Sequence, residues 1–203
     1  MSDLTRDKPR SARVHRQTTE TNVAVTLNLD GSGAHHIASG VPFFDHMLSA
    51  FSRHGLFDVT VEATGDLEVD AHHTVEDVGI VLGAAFAQCL GSKHGITRFG
   101  QALIPMDEAL VLAAVDISGR GQLHWLVELP IEFIGTFDTT LFREFLIALA
   151  SGAGLTLHVR SLAGANSHHI IEAAAKATAR ALAQAVALDS RLGQSIPSTK
   201  GQL

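Results

Sequence analysis

A single cysteine, a single tryptophan and no tyrosine occur among the 203 residues. One thiol, Cys89, cannot close an internal disulfide, and its place in an apolar helical run reads as a buried, inert core residue of a protein kept in a reducing, cytoplasmic setting. Positive charge is scarce as well: 15 Lys and Arg against 21 Asp and Glu give a formal net charge of -6, which removes the electrostatic footprint that nucleic-acid binding needs. Any anionic ligand must therefore be held by local cations. No stretch approaches the roughly 20 apolar residues of a membrane span. The first residues, Met1 to Arg10, lack the apolar core of a signal peptide and read as a flexible tail, so neither membrane insertion nor export is expected. What remains is a globular composition, 46% apolar with mean hydropathy +0.20, enough for a real core in one or two small domains. Twelve histidines are many for this length, and that is where the composition points.

Val23, Val25, Leu27 and Leu29 alternate with polar residues up to the turn signal Asp30-Gly31-Ser32-Gly33, which predicts strands joined by a hairpin. A short third strand is expected over Ala34 to Ala38. Pro42 then opens a helix in which Phe43, Phe44, Met47, Leu48 and Phe51 recur at helical spacing until Gly55. A strand over Leu56 to Thr64 and a helix capped by Asp70, with Val75, Val78, Leu82, Phe86 and Cys89 on its apolar face, complete the first half. The second half repeats the order, with strands at Arg98 to Ile104, Ala109 to Ile117 and Gly121 to Leu129, a helix over Thr139 to Ala150, a strand over Leu155 to Ser161 and a long helix over Ser167 to Leu188. Each half reads β-β-β-α-β-α. His46-Met47-Leu48-Ser49-Ala50-Phe51 before Gly55-Leu56 parallels Glu144-Phe145-Leu146-Ile147-Ala148-Leu149 before Gly154-Leu155, with one residue inserted. The predicted fold is an internally duplicated α+β sandwich, mixed sheets around a helical layer. Its halves span residues 11–95 and 96–193, and residues 194–203 form a C-terminal tail.

Two segments carry the chemistry: His72-His73-Thr74-Val75-Glu76 and His168-His169-Ile170-Ile171-Glu172, 96 residues apart (168 minus 72). Residues four apart share a helix face while adjacent ones diverge by about 100°. His72 and Glu76 can thus serve one metal ion while His73 faces another, and likewise His168, Glu172 and His169. Imidazole and carboxylate without thiolate suit Mn, Fe, Co, Ni or Zn, and lean towards a six-coordinate Mn-like ion. A lone histidine at a helix start is more often a polar cap, but two such pairs at duplicated positions are not lone. The spacing differs from His-Glu-x-x-His, so a protease is disfavoured. His46 and Glu144, equivalent in the repeat, can complete the two sites. His35-His36 reads as a surface feature, and His15, His94, His124 and His158 as isolated residues.

With Arg16-Gln17-Thr18-Thr19-Glu20-Thr21, Phe44-Asp45-His46-Met47, His54-Gly55-Leu56-Phe57-Asp58-Val59, Asp70-Ala71-His72-His73-Thr74-Val75-Glu76-Asp77, Pro105-Met106-Asp107-Glu108, Asp116-Ile117-Ser118-Gly119-Arg120, Asn166-Ser167-His168-His169-Ile170-Ile171-Glu172 and Ser198-Thr199-Lys200-Gly201 in place, the chain closely resembles the imidazoleglycerol-phosphate dehydratases from about residue 11 to its end. Two positions depart from the family pattern: Glu144 stands where His is frequent, and Ala109 where Ser is common.

The resemblance implies loss of water from imidazole glycerol phosphate to give imidazole acetol phosphate in histidine biosynthesis. It also implies two Mn ions in a site built between subunits of a 24-subunit homo-oligomer. Because no carbonyl adjoins the hydrogen to be removed, two cations on the ring nitrogens would favour an imidazolate able to expel the neighbouring hydroxyl. Arg98 and Arg120 match phosphate-binding positions, joined by Ser198, Thr199 and Lys200. His54 falls on the substrate side, and Lys176 reads equally as a substrate contact or an ion-pair partner of Glu172. Glu20 matches a substrate-contacting position. Glu20, Asp107, Glu108 and Glu172 are the candidates for moving protons, with no base singled out. Nothing here resembles the phosphatase domain fused to some relatives. Two other readings suit part of the pattern: a metallohydrolase acting on a phosphate ester, and a metal-storage protein, which would need neither Arg98, Arg120 nor Lys200.

Overall fold

The computed structural model describes residues 10–203, so the tail expected over residues 1–10 lies outside the described residues except for Arg10. Arg10 departs from that expectation: it is buried, its guanidinium pairing with Asp30 and donating to the Val186 carbonyl. A buried arginine is stable only with such partners.

Two four-stranded sheets of the same topology carry the duplication. The first runs β1 (Ser11–Gln17), β2 (Thr21–Asn28), β4 (Asp58–Gly65), β3 (His35–Ala38), antiparallel except where β3 pairs β4. The second repeats this as β5 (Phe99–Met106), β6 (Ala109–Asp116), β10 (Thr156–Ala163), β7 (Gln122–Leu126), again with only the last pair parallel. Alternation in β2 and β6 buries one face of each sheet, with Val23, Val25 and Leu27 matched by Val111, Ala113 and Val115.

Among the described residues four helices fill the space between the sheets. α1 (Pro42–Gly55) and α2 (His72–Leu90) come from the first half, α3 (Leu141–Ala153) and α4 (Ser167–Val186) from the second. α2 packs on β1 and β2, and α4 on β5 and β6. Between the halves the helices pair crosswise, α1 against α4 and α2 against α3. The α2–α3 contact is close because Gly79, Gly83 and Gly152 have no Cβ: one built at Gly83 would come 2.7 Å from the Leu149 carbonyl oxygen.

Several local expectations shift. Gly55 does not stop α1; it is the last helical residue, Leu56 taking the left-handed turn at φ 58°, whereas α3 ends on Gly154 at φ 67°. Asp70 lies one residue before the α2 cap position, yet its carboxylate accepts the His72 N–H at 2.7 Å, and Asn166, 96 residues on (166 minus 70), accepts that of His168 at 2.9 Å. Both histidine pairs thus start their helices against the same kind of cap. The strand expected over residues 121–129 stops at Leu126. A second hairpin, β8 (Phe133–Ile134) and β9 (Phe137–Asp138), follows without a counterpart in the first half. Its two-residue turn starts at Gly135, whose φ of 60° suits glycine. Cys89 is buried, and burial pushes its thiol up to about 11. Among the described residues no helix is long and apolar enough to cross a membrane.

Candidate functional site

The α1–α4 contact brings His46 of the first half to His168 and Glu172 of the second. Glu172 Oε2 lies 3.2 Å from Nε2 of each imidazole, and its other oxygen accepts from Lys176 Nζ at 2.7 Å. Among the described residues this is the one group of three His, Cys, Asp or Glu side chains whose ligand atoms all lie within 4.8 Å of one another. Glu172 is buried while the two imidazoles are reachable from solvent. Burial pushes its carboxyl upward, but Lys176 and then His46 outweigh that, so the group stays ionised more readily than a free glutamate. An anion fixed between two imidazoles is a partial cation cage. Lys176 makes the ion pair with Glu172 that its spacing allows, and also donates to Met106 Sδ at 3.3 Å.

The equivalent trio, His72, Glu76 and Glu144, sits on the α2–α3 pair, but its ligand atoms do not reach the same closeness among the described residues. Glu144 pairs with its neighbour Arg143 at 3.4 Å.

The second histidine of each pair faces elsewhere. His72 and His73 rings are 6.1 Å apart and nearly perpendicular, as are those of His168 and His169 at 6.1 Å and 75°. His73 Nδ1 donates to Asp66 Oδ2 at 2.9 Å, with Glu20 Oε2 at 3.8 Å. His169 Nδ1 donates to Glu108 Oε2 at 2.7 Å, and its Nε2 lies 3.7 Å from Asp107 Oδ2. These carboxylates raise both imidazoles, Asp66 acting on His73 and Glu108 on His169. In return His169, with the Ala165 backbone N–H, holds Glu108 down to about 2. Asp107 and Glu108 form the two-residue turn between β5 and β6, Asp107 at φ 48°.

The cations gather at the other end of the β5–β6 hairpin. Arg98 grips Asp116 with two donors, at 2.8 and 3.2 Å, and donates through Nη1 to the Pro197 carbonyl at 2.8 Å. Arg120 keeps most of its guanidinium in solvent, 4.0 Å from Asp116. The C-terminal turn closes as the Ser198 carbonyl accepts from Gly201 N–H and Ser198 Oγ from Lys200 N–H, leaving Thr199 and Lys200 exposed. His54, at the end of α1, lines a cavity of about 550 Å³ with Leu56, Gln101, Arg180 and Gln184. Burial first, then Lys176 and Arg180, lower its pKa.

The model of the family described as imidazoleglycerol-phosphate dehydratase matches residues 39–182. The chain belongs to the imidazoleglycerol-phosphate dehydratase family. Enzymes of that name from Dinoroseobacter shibae and Moorella thermoacetica are 58% and 59% identical to it over 194 residues; each alignment covers 96% of this chain and 100% and 98% of the relative. The Staphylococcus aureus dehydratase structure superposes with a TM-score of 0.78 at 39% identity, covering 88% of this chain and 100% of that one. The Pyrococcus furiosus structure does so at 0.81 and 38%, covering 93% and 99%.

Within this dehydratase fold, sequence reasoning missed two acidic groups. Asp66, on the loop after β4, is the partner of His73. Asp77, buried on α2, accepts from Thr21 Oγ1 beside the Glu20 turn and lies 3.6 Å from Arg16. Asp77 could have been found from its helical spacing, since it follows Glu76 on the inward side of α2. Asp66 carried no such signal. His124 and His158, read as isolated, stack at 4.2 Å on neighbouring strands.

Proposed function

We propose that this enzyme removes water from imidazole glycerol phosphate to give imidazole acetol phosphate in cytoplasmic histidine biosynthesis. The observation that carries the reading is the trio of His46, His168 and Glu172, assembled from both halves of a chain belonging to the dehydratase family. The donor set fits divalent transition ions: two imidazoles and one buried carboxylate, with the single thiol buried elsewhere. His46, His168 and Glu172 would hold one ion and His72, Glu76 and Glu144 the other, with His73 and His169 facing away as donors to neighbouring subunits. Two bound Mn ions would supply positive charge beside the substrate's ring nitrogens and so favour the deprotonated, electron-rich ring that can expel the adjacent hydroxyl.

The remaining work falls to the chain's own groups. The leaving hydroxyl needs a proton and the neighbouring carbon must lose one. Glu108 is suited to neither transfer, being held ionised by His169 and two backbone N–H groups. Glu20 and Asp107 keep their carboxylates largely in solvent and are free to contact a substrate hydroxyl or take a proton. Arg120, Ser198, Thr199 and Lys200 supply the phosphate site, and Arg98 anchors its tail through Pro197.

Distance supports a site shared between subunits. The turn that meets His169 and the end that holds Arg98 are separated by the length of β5, seven steps of about 3.3 Å, or roughly 23 Å. That exceeds the span of one small phosphorylated imidazole. In this reading a phosphate bound at Arg120 and a ring held with His169 come from different protomers, as a 24-subunit assembly would provide. Incubating the Mn-loaded protein with imidazole glycerol phosphate tests the reading: the ketone product supports it. Release of inorganic phosphate would make the protein a metallohydrolase, and no binding of the phosphate ester would leave a metal store.

A further inference from the structure

We propose that Asp66 and Glu108 are positioning residues that fix the proton of His73 and His169 on Nδ1, and that Asp66, by taking this task in the first half, frees Glu20 for the substrate. The last clause rests on the function proposed above; the first does not.

The argument starts from the duplication. In each half a hairpin turn hangs over the outer histidine: the β1–β2 turn carries Glu20 above His73, and the β5–β6 turn carries Asp107 and Glu108 above His169. Each half also has a glycine where the strand before its histidine helix ends, Gly65 as the last residue of β4 and Gly164 directly after β10, followed by Asp66 in one and Ala165 in the other. The equivalence is physical. A Cβ on Gly65 would strike the Thr74 side chain and one on Gly164 the Ile170 side chain, again 96 residues apart (170 minus 74).

The second half has no carboxylate at Ala165, so its hairpin glutamate does the work. Glu108 Oε2 accepts from His169 Nδ1, while Oε1 accepts the Ala165 and Asn166 N–H groups at 3.1 and 2.9 Å. Both oxygens are committed. In the first half Asp66 reaches His73 at 2.9 and 3.2 Å, and Glu20 stands off at 3.8 Å, half exposed. A carboxylate can only accept, so in both halves Nδ1 carries the hydrogen, and in the neutral ring Nε2 is left with its lone pair. Anchoring one ring nitrogen to a carboxylate orients the other for coordination and raises its basicity. The two halves thus reach one imidazole orientation by different elements, and only the first keeps a spare hairpin carboxylate.

Magic-angle-spinning NMR of the metal-free, ¹⁵N-histidine-labelled protein, at alkaline pH where the rings are neutral, reads the tautomers directly. Asp66→Ala combined with Glu20→Ala, which takes both carboxylates away from His73, is expected to move one histidine out of the Nδ1–H form and to weaken Mn binding roughly 10- to 100-fold. Asp66→Asn beside Glu20→Ala retains an acceptor oxygen and restores the tautomer. In Asp66→Ala the freed His73 captures Glu20, so KM for imidazole glycerol phosphate rises further than the metal loss explains, measured at saturating Mn. An unchanged histidine spectrum and Mn affinity within twofold of wild type in the double variant would overturn the proposal, as would an unchanged KM in Asp66→Ala. A wild-type protein without dehydratase activity would remove the role of Glu20 and the proposed function while leaving the tautomer result standing.

Discussion

Replacing Glu172 by glutamine keeps the side-chain volume and removes one charge from the centre of the α1–α4 contact. The side chains of Glu172 and Lys176 are 10% and 17% exposed and meet at 2.7 Å, so solvent screens the pair weakly. Removing one partner of a buried ion pair costs about 3–5 kcal/mol. The long stem of Lys176 lets its ammonium turn towards water, which lowers the cost below that range, to about 2–3 kcal/mol. For a chain of this size that is a melting shift of roughly 5–10 °C, measured with chelator present and at fixed protomer concentration. A double-mutant cycle with Lys176→Met isolates the pair and should return a coupling of at least about 1 kcal/mol. The acid dependence has a definite sign. Because the folded pKa of Glu172 is lowered from 4.5, its contribution is complete above that value and is lost as pH falls through the lowered one. The gap between wild type and variant must therefore narrow on acidification. A variant within about 0.5 kcal/mol of wild type, with a gap that does not change with pH, would refute the ion-pair reasoning.

Chelation will abolish turnover and Mn will restore it, as reversible imidazole and carboxylate ligation requires; full activity in metal-free enzyme, by metal analysis, would remove the metal site. Deleting Pro197 to Leu203 will raise KM sharply with metal content nearly intact, and the reverse pattern would reassign the tail to metal binding. Glu144→Ala will lower occupancy of one ion and cost much of kcat with the fold preserved, whereas Glu144→His keeps activity; two tightly held ions and normal kcat in the alanine variant would take Glu144 out of the site. Gly83→Ala forces a methyl to within 2.7 Å of the Leu149 carbonyl oxygen. Overpacking of about 1–3 kcal/mol against a helix-propensity gain of roughly 1 kcal/mol leaves a net loss of up to about 2 kcal/mol in urea unfolding, and a stabilised variant would contradict the close α2–α3 packing.

Short-range rules made much of this legible. Alternation in Val23, Val25 and Leu27, helical spacing in Phe44, Met47, Leu48 and Phe51, and the repeated His-His-x-x-Glu are patterns within one or two turns of chain, where geometry follows from φ and ψ alone. The i, i+4 rule put His168 and Glu172 on one face, and the structure has them at 3.2 Å. Arg10 and the β8–β9 hairpin escaped because an arginine near a chain end and a four-residue ribbon carry no periodicity. Lys176 was undecidable locally, since the same helical position suits an ion pair and a ligand contact; the structure shows the ion pair, at 2.7 Å from Glu172.

The amino-acid sequence by itself determined which residues could bind metal and which half each belonged to, because ligand chemistry and helical phase are local properties. Only the tertiary structure decided that His46 of one half meets Glu172 of the other, that Asp66 rather than Glu20 holds His73, and that Arg98 lies a strand's length from His169. The first depends on the crosswise pairing of α1 with α4 and α2 with α3, and the other two on how each half folds its helix against its own sheet. That pairing follows from the close fit of Gly79, Gly83 and Gly152 and from the burial of two sheet faces at once, and neither can be read from any single segment.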